Sequence, residues 1–259
     1  MVWFKIRSFF LFLWASTNKH GVHSPFIYDL VINCFNAPTN TSKTATFKKI
    51  QKLLFTNQNS INITDYGKGS SVFKSNVRKV SDIAKIAGIT QKKAALLLRM
   101  ADYFNPNNIL EIGTSVGLGT SVLSIGNPDA QIVTLEGCKN TAEIAKILFS
   151  QNHLNNIKLV VGNFNKTLSD VLKNKQFDLI YFDGNHQKEA TLNYFNQCLE
   201  TAHNNSFFIF DDIHWSPDMH LAWDEIKMHP KVTITIDTYF WGLVFFRKEQ
   251  EKQHFMIRV

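Results

Sequence analysis

The stretch ILEIGTSVGLGT, residues 109–120, decides the fold of this chain. It begins with a short apolar run that contains one acid, Glu111, and the turn residues NPNN precede it. That pattern is typical of a buried parallel strand. Gly113, Gly117 and Gly119 follow, and TSVL then opens a helix. A strand, a glycine turn and a helix in this order indicate an open α/β sheet that holds a nucleotide-like ligand beyond its strand ends.

The spacing of the glycines indicates the kind of ligand. A dinucleotide-binding loop has the pattern GxGxxG, whereas here Ser115 stands where the middle glycine would be. The observed acid-x-Gly-x-x-x-Gly pattern resembles the first motif of class I S-adenosylmethionine-dependent methyltransferases, in the catechol and caffeoyl-CoA O-methyltransferase-like branch. An NAD-linked oxidoreductase is the disfavoured alternative, and a glycine turn without a ligand is the plainest one.

The composition bounds the class of protein. The chain has 259 residues, 44% of them hydrophobic and 19% charged, which suits one α/β domain with an extension. Its net charge is +7, but lysine and arginine are scattered, and the densest group, Lys74, Arg78, Lys79 and Lys85, is interpreted as a solvated helix face. The three cysteines are far apart, which predicts reduced thiols and a cytoplasmic location.

Residues 1–16, MVWFKIRSFFLFLWAS, form a dense apolar segment. It is shorter than the ~20 residues that span a bilayer, and no clear cleavage site follows it. We interpret it as a helix that docks on the body of the protein or on a partner in a homodimer. The alternative is peripheral membrane contact through an interfacial helix.

Two further N-terminal features contain residue types that often bind ligands. His20 and His23 lie in a polar turn and are interpreted as surface residues. Asp65-x-Gly67-x-Gly69 imitates a nucleotide loop, but no apolar strand precedes it, so a lid or substrate loop is predicted there.

The remaining pattern alternates between helix and strand. Helices are predicted over 26–35, 42–56, 76–87, 90–104, 118–125, 141–152, 166–173, 187–203 and 217–228, and strands over 109–112, 131–135, 158–161, 177–182, 207–210, 231–237 and 242–247. This alternation predicts a parallel sheet with helices on both faces. The last two strands are joined too tightly for a crossover and must be antiparallel.

The predicted fold class is therefore α/β, a Rossmann-like methyltransferase fold. Its sheet is mostly parallel and seven-stranded with a C-terminal antiparallel hairpin, and residues 250–259 are a candidate edge strand. Residues 1–89 are assigned to a helical N-terminal extension and lid, and residues 90–259 to the methyltransferase domain.

The resemblance implies a set of residues for S-adenosylmethionine. The acid at the end of the second strand, Glu136, would accept hydrogen bonds from both ribose hydroxyls. Asn163 and Phe164 stand where the family binds adenine. The full predicted cofactor set is Glu111, Gly113, Thr114, Ser115, Gly117, Glu136, Asn163, Phe164 and Asp183.

The resemblance also implies an acceptor side after the fourth and fifth strands. Asp183, Asp211 and Asp212 match the family's divalent-cation ligands, with Asp in place of Asn at the last, and Mg²⁺ would neutralise them. The alternative is that one aspartate caps a turn and no metal binds. His186 stands where the family has a lysine base, and it is the predicted base together with Asp183. Lys188 and His214 are weaker candidates.

The acceptor predicted from these residues is a small-molecule hydroxyl. DGNH after the fourth strand departs from the Asp/Asn-Pro-Pro-aromatic motif of nucleic-acid methyltransferases, so no nucleic-acid partner is expected. The non-enzymatic alternative is a membrane-associated binding module that uses the same fold.

Overall fold

The computed structural model describes residues 2–18, 21, 23–64 and 75–259. His20, Lys74 and the predicted lid motif Asp65-x-Gly67-x-Gly69 lie outside the described residues. The helices are α1 Val2–Ala15, α2 Pro25–Leu30 with a π-helical turn Val31–Phe35, α3 Thr41–Thr56, α4 Val80–Ile86, α5 Gln91–Phe104, α6 Leu118–Gly126, α7 Lys139–Gln151, α8 Phe164–Leu172, α9 Lys188–Cys198 with a 3-10 turn Leu199–Thr201, and α10 Pro217–Met228.

The strands confirm the predicted α/β class. They are β1 Ser60–Asn62, β2 Val77–Lys79, β3 Asn108–Ile112, β4 Gln131–Glu136, β5 Ile157–Val161, β6 Leu179–Phe182, β7 Phe207–Asp211, β8 Ile234–Asp237, β9 Trp241–Phe245 and β10 Gln253–Met256. Within the described ranges, eight of them form one sheet in the order β10-β8-β9-β7-β6-β3-β4-β5. The strand β9 is antiparallel to both of its neighbours, β7 and β8, and β10 pairs with β8 in parallel. The predicted seven strands and the candidate edge strand are thus all present.

One predicted helix is partly wrong. Residues 76–87 were expected to be helical throughout, whereas residues 77–79 form β2, which pairs with β1 in an antiparallel ladder. The helix begins at Val80. Exposure alternates along Val77–Lys79 with the period of a strand. Pairing of these three residues with β1 therefore outweighs their helix propensity.

The chain divides into two compact units, and the first to consider is Ala37–Val171. In it, α3 and α5 pack with α6, and the parallel strands β3, β4 and β5 lie side by side. Thr90 caps the N-terminus of α5, because its side-chain oxygen accepts a hydrogen bond from the Lys93 amide at 3.3 Å. The buried strand β3 leads directly into the glycine loop.

The second unit combines Met1–Asn36 with Leu172–Val259. Its core is aromatic: the rings of Phe182 and Phe210 stack at 4.2 Å, and Phe207 stacks on Phe245. These rings lie on adjacent strands, so the many phenylalanines of the sequence serve core packing in this unit. The N-terminal helix α1 belongs to the same unit, where the Tyr239 hydroxyl donates a hydrogen bond to the carbonyl of Lys5 at 2.9 Å.

The second strand of the β8–β9 hairpin begins at Trp241, one residue earlier than predicted. Gly242 lies inside β9, opposite Phe210. A Cβ at Gly242 would lie 2.6 Å from the ring of Trp223, so glycine is required there by close packing. The left-handed residue of the turn is Tyr239, with φ 73°.

Candidate functional site

The loop from Gly113 to Gly117, in the unit Ala37–Val171, has an unusual backbone. Gly113, Ser115 and Gly117 all have positive φ, at 110°, 50° and 91°. Glycine adopts such angles readily, whereas serine does so at a cost. The amides of Gly113 and Thr114 both donate to the Leu135 carbonyl at 3.0 Å, and the Gly117 amide donates to the Thr114 carbonyl at 2.9 Å. The predicted cofactor loop is therefore a tight turn that its own backbone holds against the end of β4.

Gly117 is also required by packing. It caps the N-terminus of α6, and a Cβ there would lie 2.8 Å from the Phe149 ring and 3.2 Å from the Cβ of Ala145, both on α7. The glycine spacing in the sequence thus has two causes. One is the left-handed backbone, and the other is the close approach of the loop to α7.

Glu136 fixes the loop to the end of β4. Its Oε2 accepts a hydrogen bond from the Ser115 amide at 2.7 Å, and its Oε1 accepts one from the Cys138 amide at 2.8 Å. Burial raises the pKa of Glu136, and these backbone hydrogen bonds oppose that rise. The Thr141 hydroxyl and the Gly137 amide oppose the rise in this pKa as well.

Glu111 lies beneath the loop. It is 0% exposed, and its Oε2 accepts hydrogen bonds from the hydroxyls of Thr120 and Thr134, the latter at 2.6 Å. The Thr134 hydroxyl also lies 2.6 Å from that of Thr114. Burial raises the pKa of Glu111 to about 7. Among the described atoms its Oε1 has no hydrogen-bond partner, so this oxygen is the part of Glu111 left for a ligand group or a water.

The predicted adenine residues follow β5. The side-chain oxygen of Asn163 accepts a hydrogen bond from the Asn165 amide at 2.9 Å and so closes the first turn of α8. Adenine recognition by Asn163 would therefore use its amide nitrogen. Phe164 is half-buried at the start of α8. Gly162 before them has φ 153°, and its amide donates to the Glu136 carbonyl at 2.8 Å.

The predicted acceptor residues belong to the other unit. Asp183 and His186 follow β6 in a half-buried loop. Asn185 between them has φ 52° and donates a hydrogen bond to the Tyr194 hydroxyl at 3.2 Å, which fixes the loop to α9. The weaker base candidate Lys188 is engaged elsewhere, because its side chain pairs with Glu225.

The two aspartates after β7 have different surroundings. Asp211 is 8% exposed and lies opposite Trp241 in the sheet. Asp212 has φ 56°, and its amide donates to the Phe240 carbonyl at 2.8 Å. Within the described parts of the chain, no group of three His, Cys, Asp or Glu side chains is arranged to hold a metal ion. The predicted ligands Asp183, Asp211 and Asp212 therefore do not form a ready metal site.

A buried histidine–aspartate pair lies close to this loop. His214 is 5% exposed, and its Nε2 lies 2.7 Å from Oδ2 of Asp237 at the end of β8. The His214 ring stacks on Tyr239 at 5.2 Å. His214 is predicted from the sequence only as a weaker base candidate, and Asp237 and Tyr239 are not predicted at all. The one sequence signal for Asp237 is its position at the end of a predicted strand.

The comparisons with known proteins agree with this geometry. Residues 110–213 match a protein-family model described as a methyltransferase domain. No curated protein matches the chain in sequence.

The chain also resembles several solved structures. A methyltransferase of Podospora anserina, solved with SAH, has a TM-score of 0.60 at 15% identity, over 88% of this chain and 97% of that chain. An O-methyltransferase of Bacillus cereus with SAH has 0.57 at 18%, over 85% and 97%. The O-methyltransferase TomG of Streptomyces achromogenes with SAM has 0.54 at 19%, over 62% and 82%. These likenesses confirm the predicted fold.

Proposed function

We propose that the protein is an S-adenosylmethionine-dependent methyltransferase that methylates a hydroxyl group of a small molecule. The observation that carries the proposal is the link between the left-handed loop at Ser115 and the carboxylate of Glu136. Similar structures that were solved with SAM or SAH support the choice of cofactor. The GxGxxG loop of NAD enzymes is not in the sequence at this point.

The cofactor's chemistry fits the residues of the unit Ala37–Val171. The ribose hydroxyls would donate to Glu136, and the methionine end of the cofactor would lie beside the Gly113–Gly117 loop. The adenine ring would lie against Phe164 and bond to the amide of Asn163. Glu111 and Thr114 would act indirectly, because their hydrogen-bonded cluster supports the loop from below.

The reaction needs little activation of the methyl donor. The hydroxyl oxygen forms a bond to the methyl carbon while the carbon–sulfur bond of the sulfonium breaks, so the products are a methyl ether and S-adenosylhomocysteine. The hydroxyl proton passes to a base, for which we propose His186, beside Asp183. Positioning supplies most of the remaining rate enhancement.

A divalent cation is a separate part of the proposal. Asp183, Asp211 and Asp212 would be its ligands, and a bound ion would lower the pKa of the acceptor hydroxyl. Because these side chains form no metal-holding group, the proposal does not depend on the ion. The measurement is methyl-transfer activity with and without Mg²⁺. Activity that strictly requires Mg²⁺, is abolished by chelation and is lost in Asp211→Asn would show that the carboxylates rearrange around a metal.

The proposal is tested by calorimetric titration of the purified protein with S-adenosylhomocysteine. We expect micromolar binding that Glu136→Ala abolishes. Glu143→Ala is the matched control, because Glu143 is an exposed acid of the same unit, and it should bind normally. NAD should produce no heat. Binding of NAD in place of S-adenosylhomocysteine would contradict the proposal. If the protein binds neither compound, the proposal is also contradicted and a non-catalytic module is favoured.

A further inference from the structure

The N-terminal helix α1 has two faces that differ in their surroundings. Phe12 is 3% exposed and packs on Tyr239, as does Phe9. Lys5 also lies on the inner side, with its Nζ 2.9 Å from the centre of the Trp215 ring. These contacts hold the helix against its own unit. They account for one face of α1 and leave the opposite face without a structural explanation.

The opposite face of α1 is apolar and exposed. Trp3, Ile6, Phe10 and Leu13 recur at intervals of three and four residues, which places them on one side of the helix. Trp3 is 77% exposed and Phe10 is 65% exposed. Trp14 at the C-terminal end is 88% exposed. An ordinary surface helix has polar residues on this side, so the exposed stripe indicates an apolar partner.

The charge near α1 identifies the kind of partner. The first 28 residues contain no aspartate or glutamate, and Arg7 is exposed beside the apolar stripe. The whole chain has a net charge of +7. Tryptophan and phenylalanine flanked by basic residues are typical of helices that lie in the interface of an anionic bilayer. No helix in the described residues is long and apolar enough to cross a membrane.

Charge argues against a second copy of the chain as the partner. Arg7 lies beside the stripe, so two copies packed stripe to stripe would bring these like charges together. An anionic bilayer instead presents lipid phosphates to Arg7, and each inserted aromatic side chain contributes independently to binding.

We propose that α1 is an interfacial helix that lies on anionic membranes with the stripe Trp3, Ile6, Phe10, Leu13 and Trp14 inserted among the lipids. Arg7 contacts lipid phosphates at the edge of the stripe. The inner face remains docked on Tyr239, so the protein binds the surface as a folded whole and does not release the helix. This surface is independent of the cofactor site, and its test is independent of methyl transfer.

The test is co-sedimentation of the full chain with vesicles of phosphatidylcholine that contain about 30% phosphatidylglycerol. We expect binding that falls at least about tenfold in the double variant Trp3→Gln/Phe10→Gln and about tenfold in Arg7→Glu. Vesicles of phosphatidylcholine alone should bind more weakly. The matched control, Val77→Gln/Met228→Gln, also removes two exposed apolar side chains and should bind like the unmodified protein.

Thermal unfolding distinguishes loss of the surface from loss of the fold, since all the substituted side chains are exposed and the midpoint should not change. Absence of binding to anionic vesicles, or equal binding by the Trp3/Phe10 variant, would overturn the proposal. Sedimentation velocity without lipid gives the remaining outcome. A dimer that the same variant converts to a monomer would make α1 an intersubunit helix and would also overturn it.

Discussion

The Nε2 atom of His214 lies 2.7 Å from Oδ2 of Asp237, and both side chains are buried. The other oxygen of Asp237 accepts a hydrogen bond from the Tyr239 amide at 2.7 Å. One carboxylate therefore fixes both the orientation of the His214 ring and the left-handed turn at Tyr239. The Tyr239 hydroxyl donates a hydrogen bond to the Lys5 carbonyl, so the His214–Asp237 pair also supports the surface on which α1 packs.

We predict that Asp237→Ala lowers the free energy of unfolding by about 2–4 kcal/mol, because it leaves Nε2 of the buried His214 and the part-buried Tyr239 amide without partners. Urea unfolding measures the change. Asp224→Ala is the control from the same unit, since Asp224 is an exposed carboxylate paired with Lys227, and its effect should stay within about 0.5 kcal/mol. Equal effects of the two substitutions would show that the His214 contact adds nothing.

The buried acid Glu111 makes stability depend on pH. Its pKa is about 7 in the folded protein, against an ordinary value of 4.5. A carboxyl group whose pKa is higher in the folded chain binds its proton more tightly there, so folding is favoured most below pH 4.5. That contribution declines as the pH rises from 4.5 to about 7, and the total loss is about 3 kcal/mol.

We therefore predict that Glu111→Gln, which imitates the protonated acid, flattens the stability profile over this range. The difference in unfolding free energy between the two proteins should shift in favour of the variant as the pH rises from 5 to 8. Burial lowers the pKa of His220, so His220 makes stability rise with pH. This contribution is the same in both proteins and cancels in the difference between them. If the difference in unfolding free energy between the two proteins does not change with pH, the raised pKa of Glu111 in the folded protein is contradicted.

The sequence predicted the fold well because its strongest signals are local. The apolar run before Gly113 and the regular alternation after it follow directly from burial and strand geometry. The short strand β2 was not predicted, since its pairing with β1 depends on residues distant in sequence. The role of Gly242 was also not predictable, because only the tertiary structure brings Trp223 against it.

The candidate site was predictable to a similar extent. Glu136 and Ser115 were identified from motif spacing, but their mutual hydrogen bond is a product of the fold. The complete burial of Glu111 is likewise invisible in the sequence, where an acid at a strand end indicates direct ligand contact. Asp237 was missed because no motif joins it to His214, which lies 23 positions earlier in the sequence.

Gly117 offers a test of why the loop contains glycine. We predict that Gly117→Ala lowers the free energy of unfolding by about 1–3 kcal/mol and weakens S-adenosylhomocysteine binding, because a Cβ would meet the Phe149 ring at a φ of 91°. Phe149→Leu removes the steric part alone. In the double variant the steric cost should largely disappear while the backbone strain persists, so the combined destabilisation should be smaller than the sum of the two single effects. Strict additivity would mean that contact with Phe149 plays no part.

The proposed base His186 should be separable from the cofactor site. We predict that His186→Ala leaves S-adenosylhomocysteine affinity unchanged and lowers kcat by about 10²–10⁴-fold with any hydroxyl acceptor, because only proton transfer is lost. Lys188→Ala is the matched control: Lys188 is the other basic residue of the loop, its side chain pairs with Glu225, and its loss should change kcat little. The rate lost in His186→Ala should recover in part at high pH, where the acceptor ionises without help. A variant that retains the full rate at neutral pH would exclude His186 and direct the search for the base to His214.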